Sequence, residues 1–519
     1  MNLRRTLTII LSLCLGLVAL SASVVAQDIE RRPVEDHLFG VRSAIPADWQ
    51  DLGGGTYSRG TPPEDIALIA IQSAPATIEQ LWPSLLPQFG LAEIPETTFE
   101  YHSDLFDWTM YEFTVEFGDM AIEVGLALTE QDGVTNLVLL QSEPDDYDIL
   151  REQVLKPAID AFEPLAPEPT PDPSTFDYHI EEVAFPGGAA DVELAGTLTL
   201  PEDPGPHPVV ITMSGSGPSD RDESLAPISA LKPFAVLADA LTSAGIGELR
   251  YDDRGVGDST GEHEGATIRD FAADAGAAID YLATRADVDP ERIGLFGHSE
   301  GGSYAAMLGA GDPRVAYIGM MAPATVDGIS LIVAQNGALL RSAGESEEFA
   351  EAAEAFAAEV LPFARNGDAE AVKTMTEAFY GDLWDNLSED DRTLAGDRDS
   401  YAELLAAREV DIYTSDWFRS FLEYDPTQDW EQVTVPVLGI FGGKDAQVLA
   451  EQNETALRAA LEVAGNEDVE TITFDDANHL FQAADTGAFA EYAQLEPEFI
   501  DGFVDAVVDW MTVRAGVAE

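Results

Sequence analysis

The chain has 519 residues, of which 45% are apolar, 9% aromatic and 24% charged. This is a globular composition with room for two or three domains. Acids outnumber bases by 96 to 26, a formal net charge of −70. Such a field repels phosphate backbones and anionic bilayers, so no nucleic acid is expected as a partner and an anionic membrane surface is a poor one. The single cysteine, Cys14, excludes an internal disulfide, a multi-cysteine zinc site and an iron–sulfur cluster.

The first 26 residues read as a secretory signal peptide. Arg4 and Arg5 form a basic start, Leu7 to Leu20 is an apolar run of the right length, and Val24 and Ala26 place small residues before a cleavage at Gln27. The apolar run is short for a membrane span, and Leu13 is too bulky just before Cys14 for a lipoprotein box. Cleavage would release an exported, cysteine-free chain with no stable membrane insertion.

Residues 27–163 form the next unit. Short alternating apolar runs at Ile66–Ile71, Trp108–Phe117, Met120–Leu128 and Thr135–Leu140 predict antiparallel strands. Helical spacing after Thr77 and after Asp148 completes a small α+β domain, and it holds no catalytic constellation. Residues 164–175 follow, with prolines at 164, 167, 169, 171 and 173. That spacing predicts an extended, semi-rigid linker.

From 176 to 519 apolar strands alternate with helical stretches, the pattern of a mainly parallel α/β sheet. Strands are predicted at Val209–Met213, Ile246–Tyr251, Ile293–Phe296, Tyr317–Met321, Val435–Phe441 and Glu470–Phe474, with helices at Lys232–Ala244, Thr267–Arg285 and Phe499–Arg514. Between about 324 and 433 the alternation stops and the sequence turns helical, as expected of a cap inserted over the strand C-termini.

Gly-x-Ser-x-Gly occurs twice, at Gly257–Gly261 and Gly297–Gly301. A nucleophile elbow needs a strand before it and a helix after it, with small neighbours around a strained serine. Ser299 has that context. Ser259 lies among polar turn residues and reads as loop. A serine hydroxyl needs a base. The order Ser299, Asp445, His479 supplies one: His479 would take the proton and Asp445 would orient the ring. Asp475 and Asp476 are rival acids, and His298, beside the nucleophile, reads as a packing or hydrogen-bonding group. The oxyanion hole is expected from backbone N–H groups: Glu300 after the nucleophile, and Ser216 or, next, Gly215 in the glycine-rich loop after the strand ending at Met213.

Six segments in one order carry a resemblance. They are Ser214-Gly-Ser-Gly-Pro-Ser-Asp-Arg-Asp222, Arg250-Tyr-Asp-Asp-Arg-Gly-Val-Gly-Asp-Ser259, Gly297-His-Ser-Glu-Gly301, Trp417-Phe-Arg-Ser-Phe-Leu-Glu-Tyr-Asp-Pro426, Gly443-Lys-Asp445 and Asn478-His-Leu-Phe-Gln482. From about Thr175 to Glu519 the chain resembles bacterial α/β-hydrolase serine esterases of the dienelactone-hydrolase-like, serine-aminopeptidase-like group. The resemblance implies an α/β-hydrolase fold and hydrolysis of small-molecule carboxylic esters, mostly of short acyl chains, with no metal and no cofactor. It gives Ser299, Asp445 and His479 the triad roles. Trp417, Phe418, Phe421 and Tyr424 would line the acyl pocket or form cap core. The alternatives are an aminopeptidase or amidase with the same triad, or a non-catalytic exported binding protein. A strongly negative field favours the protonated form of a histidine base, so activity is expected to rise with NaCl and with pH above 7.

Overall fold

A computed structural model describes residues 29–517, apart from short stretches at 37–38, 61–64, 75, 90, 92, 118–119, 132, 166–175, 226–228, 388–391 and 393–396. The expected signal peptide and most of the expected linker lie outside the described residues.

The first unit is built on a seven-stranded antiparallel sheet. Its long central strands, Asp107–Phe117, Met120–Gln131 and Val134–Ser142, pair as a meander. Alternation along them sends side chains to two separate apolar clusters, one on each face. On one face Trp82 and Leu85 come from helix Ile78–Leu85, whose start is fixed by the capping box between Thr77 and Gln80. On the other, helical residues Tyr147 to Ile159 pack over Trp108 and Leu140. A three-stranded sheet, Arg31–Asp36, Val41–Pro46 and Glu163–Pro164, closes that side. Pro164 is therefore paired with Val41 rather than part of the spacer, because its missing N–H costs nothing on a sheet edge.

The second unit holds an eight-stranded sheet. Its strands are β1 (Tyr178–Pro186), β2 (Glu193–Pro201), β3 (His207–Met213), β4 (Gly247–Tyr251), β5 (Val288–His298), β6 (Val315–Met321), β7 (Val437–Gly442) and β8 (Val469–Phe474). Their spatial order is β1-β2-β4-β3-β5-β6-β7-β8. β1 and β2 are antiparallel and every pairing from β4 onward is parallel. β3 is buried at all seven positions and β7 at all six, as strands covered on both faces must be. The β1–β2 hairpin was not foreseen, because its exposed positions break the apolar run. Between β6 and β7 the chain is helical, including Gly328–Ser342, Glu347–Arg365, Ala369–Asn386, Arg398–Tyr413 and Asp416–Glu423. Among the described residues no helix is long and apolar enough to cross a membrane.

Candidate active site

The strand order reverses direction around β3 and β5, and open α/β sheets place their sites beyond the strand C-termini at such a point. β5 ends at His298, and Ser299 follows with φ 52°. A non-glycine residue in the left-handed region is strained, and such strain concentrates at functional positions. The turn is held by Ser299 N–H donating to the Met321 carbonyl at 3.1 Å, and by Gly302 and Ala324 N–H donating to the Ser299 carbonyl. The flanking glycines are required by space. A Cβ on Gly297 would lie 2.4 Å from the Gly301 carbonyl oxygen, and one on Gly301 would lie 2.3 Å from that of Met213. The helix Gly301–Gly311 then starts directly, capped at Glu300. Its first N–H groups carry the positive end of the helix dipole.

Asp445 and His479 come together from loops after β7 and β8. His479 Nδ1 lies 2.8 Å from Asp445 Oδ2, with both residues 6% exposed. Asp445 Oδ1 accepts the N–H groups of Gln447 and Val448 at 2.8 and 2.9 Å, which leaves Oδ2 for the imidazole. With the Nδ1 proton donated to Asp445, the free lone pair of the neutral ring is on Nε2. The His479 N–H donates to the Tyr492 hydroxyl at 3.3 Å. Asp475 and Asp476 are exposed at the entry to this loop, whereas Asp445 makes the bond.

The glycine-rich loop after β3 lies against Ser299: a Cβ on Gly215 would sit 3.2 Å from the Ser299 Cβ. The Gly215 N–H is nevertheless committed, donating to Glu223 Oε1 at 2.8 Å. This corrects the expectation of Gly215 as an oxyanion donor and leaves Ser216 and Glu300. Asp253 ties the same loop down by accepting from the Ser214 hydroxyl and the Ser219 N–H. Burial pushes the Asp253 carboxyl well above the usual carboxylate range, against the lowering effect of those two bonds.

The second Gly-x-Ser-x-Gly is structural. Ser259 Oγ donates to the Asp252 carbonyl at 2.7 Å and accepts the Ala195 N–H at 2.9 Å. The segment around it is an ionic brace: Arg221 bonds Asp252, and Arg254 bonds Asp274.

The four cap aromatics divide. Phe418 stacks on Tyr413 at 5.1 Å, Phe421 is buried, and the Tyr424 hydroxyl donates to Asp429 at 2.8 Å. These three are packed as cap core, one of the two places expected for them, with faces and polar tips met by neighbours. Trp417 differs. Its Nε1–H reaches both Glu300 carboxylate oxygens at 3.2 Å, tying the cap to the residue after the nucleophile. Burial pushes the Glu300 carboxyl up to about 7, while bonds from Tyr304 and Trp417 oppose the rise. Spacing gave no signal for Glu223 or Tyr492, because Glu223 reaches the site from an irregular loop and Tyr492 from the short helix Phe489–Tyr492.

A surface hollow of about 310 Å³ among Arg458, Glu462, Asn466 and Val469 opens at the start of β8, the end of the sheet opposite the triad, and holds no catalytic group.

Residues 215–492 match the alpha/beta hydrolase family. Esterase EstD of Thermotoga maritima is 25% identical over 446 residues, spanning 86% of this chain and 88% of that protein. The putative hydrolase YtaP of Bacillus subtilis is 34% identical over 125 residues, covering 21% of this chain and 42% of its own length. The Pyrococcus furiosus esterase Pf2001 structure aligns with a TM-score of 0.39 at 16% identity, covering 67% of this chain and 92% of that one. The family match spans more than half of the sequence, including Ser299, Asp445 and His479: the chain belongs to the α/β-hydrolase family.

Proposed function

We propose that the chain is an exported serine hydrolase that cleaves small carboxylic esters, with a preference for short acyl chains. The carrying observation is the strained Ser299 at the end of β5, directly after His298, whose ring lies 4.7 Å from that of His479, itself paired with the buried Asp445. Esterase EstD matches along most of both chains, which supports an ester as substrate.

In this reading the Ser299 hydroxyl attacks the ester carbonyl carbon as His479 Nε2 takes its proton. Asp445 holds the tautomer and the charge that forms. The Glu300 and Ser216 N–H groups receive the oxyanion, each such donor contributing about 2.7–4 kcal/mol. His479 returns the proton to the leaving alkoxide, leaving an acyl-serine. Water then attacks the acyl carbon and gives its proton to His479, which passes it to the Ser299 oxygen as the acid departs. Trp417, held at the elbow by Glu300, forms one wall of the acyl pocket.

The test is hydrolysis of p-nitrophenyl acetate, butyrate, octanoate and palmitate, with an amino-acyl p-nitroanilide beside them. Ester turnover falling with chain length, lost in Ser299→Ala, is the expected result. Turnover of the anilide alone would replace the esterase with an amidase. Sequencing the N-terminus of exported protein should begin at Gln27.

A further inference from the structure

Glu223 and His298 are both buried, carry chemistry, and have no part in the reaction as written above. Glu223 is 2% exposed and sits at φ 55°, a strained backbone for a glutamate. Its Oε1 accepts the Gly215 N–H at 2.8 Å and faces His298 Nδ1 at 2.7 Å. His298 Nε2 lies 3.1 Å from the His479 carbonyl oxygen, and the two imidazole rings are 4.7 Å apart. One side-chain pair therefore touches three segments: the glycine-rich loop, the nucleophile turn and the base loop.

The contacts fix one ring proton outright and assign the second through Glu223. A carbonyl oxygen only accepts, so Nε2 must donate. Oε1 already receives one N–H, and a carboxylate oxygen that accepts two donors is the arrangement the geometry describes. With Glu223 ionised, both ring nitrogens carry hydrogen and the ring is a cation.

We propose that His298 is a buried imidazolium which, clamped to Glu223, holds the oxyanion loop and the base loop in register around Ser299. Both are positioning residues, and the proposal rests on the serine-hydrolase reading. The charged and titratable groups around the clamp are Glu223 itself, Asp253 bound to the glycine-rich loop, and Asp445 with His479 on the base side. Burial disfavours the His298 cation, but Glu223, the His479 carbonyl and Asp445 outweigh it and hold the ring above its ordinary range. The raised His298 value favours the closed clamp, which opens as pH rises through that value. An alkaline limb in the pH–rate profile follows, and it belongs to a residue outside the triad.

The direct test is ¹⁵N spectroscopy of histidine-labelled wild type near pH 7, with His298 assigned by its loss in His298→Gln. Two protonated ring nitrogens are expected; a singly protonated neutral ring overturns the proposal. The second test is kinetic, with p-nitrophenyl butyrate as probe. Glu223→Gln is expected to lower kcat by about 10–100-fold, the cost of a misplaced group, with KM within about threefold, and to move the alkaline limb to lower pH. Glu223→Asp, which keeps the charge, should recover part of the rate. An unchanged kcat and alkaline limb in folded Glu223→Gln would overturn the clamp. Should the substituted protein fail to fold, the wild-type spectrum still decides. Absence of wild-type ester turnover would sink the esterase reading alone, since the spectrum does not depend on it.

Discussion

Gly257–Gly261 and Gly297–Gly301 share one five-residue pattern and are put to opposite uses. Ser259 is consumed: its hydroxyl donates to Asp252 and accepts from Ala195, stitching a loop to β2. Ser299 is held at φ 52° on a turn whose neighbours tolerate no Cβ. The difference is not in the serines but in what precedes them. β5 is a buried parallel strand that delivers its last residue to the C-terminal edge of the sheet, with a helix N-terminus waiting behind it. The Asp252–Asp258 segment is a polar loop braced by arginines. A serine on a strained turn between a strand and a helix has the backbone setting that a nucleophile requires. One tied between two backbone groups is structure.

The comparison breaks most sharply on paired substitutions. Ser299→Ala should lower kcat by about 10⁴–10⁶-fold with the fold intact, as loss of an activated nucleophile does. Ser259→Ala should leave kcat within a few-fold and destabilise by about 1–3 kcal/mol, because it strands a buried donor and acceptor. Denaturant melts alongside kinetics separate the two, and a reversed pattern would exchange their roles.

The acid gives the next largest effect. Asp445→Asn should cost about 10³–10⁴-fold in kcat through the wrong imidazole tautomer. Asp476→Asn, exposed at the loop entry, should cost little. Comparable losses from both would mean that the base takes its orientation from more than the 2.8 Å bond to Asp445.

Glu300 sharpens the comparison on stability. Its folded value of about 7 lies above the ordinary 4.5. The stability that its neutral form gives is whole below the unfolded value and is lost as pH rises through about 7. Glu300→Gln cannot ionise. It should therefore match wild type in thermal melts near pH 4 and exceed it by about 1–3 kcal/mol above pH 8. An equal difference at both pH values would deny that the carboxyl is neutral in the fold.

The smallest expected effect is global. With a net charge of −70, added salt screens self-repulsion and the field at the histidine base. The rate of ester hydrolysis near neutral pH should rise severalfold from low to high NaCl, and more in that range than at pH 9. A salt-independent pH profile would show that the surface field does not reach the site.

Much of this was written in the sequence because it depends on local order. Apolar runs marked β3, β5, β6 and β7, since a strand buried on both faces has no choice but to be apolar. The spacing of Ser299, Asp445 and His479 against those strands marked the site, since each strand carries its following loop to the same edge of the sheet. The helical stretch between β6 and β7 marked the cap. What the sequence left open depends on which loops meet in space. Gly215 carried every local sign of an oxyanion donor, but a glutamate eight residues on turns back and takes its N–H. Phe418, Phe421 and Tyr424 look like pocket residues in one dimension, and only the packing of the Asp416–Glu423 helix on its neighbours turns them into core while aiming Trp417 at Glu300. His298 was legible only as a group needing partners. Its two partners, Glu223 and the His479 carbonyl, lie 75 and 181 residues away. No periodicity encodes such contacts; chain folding alone brings them within hydrogen-bond reach.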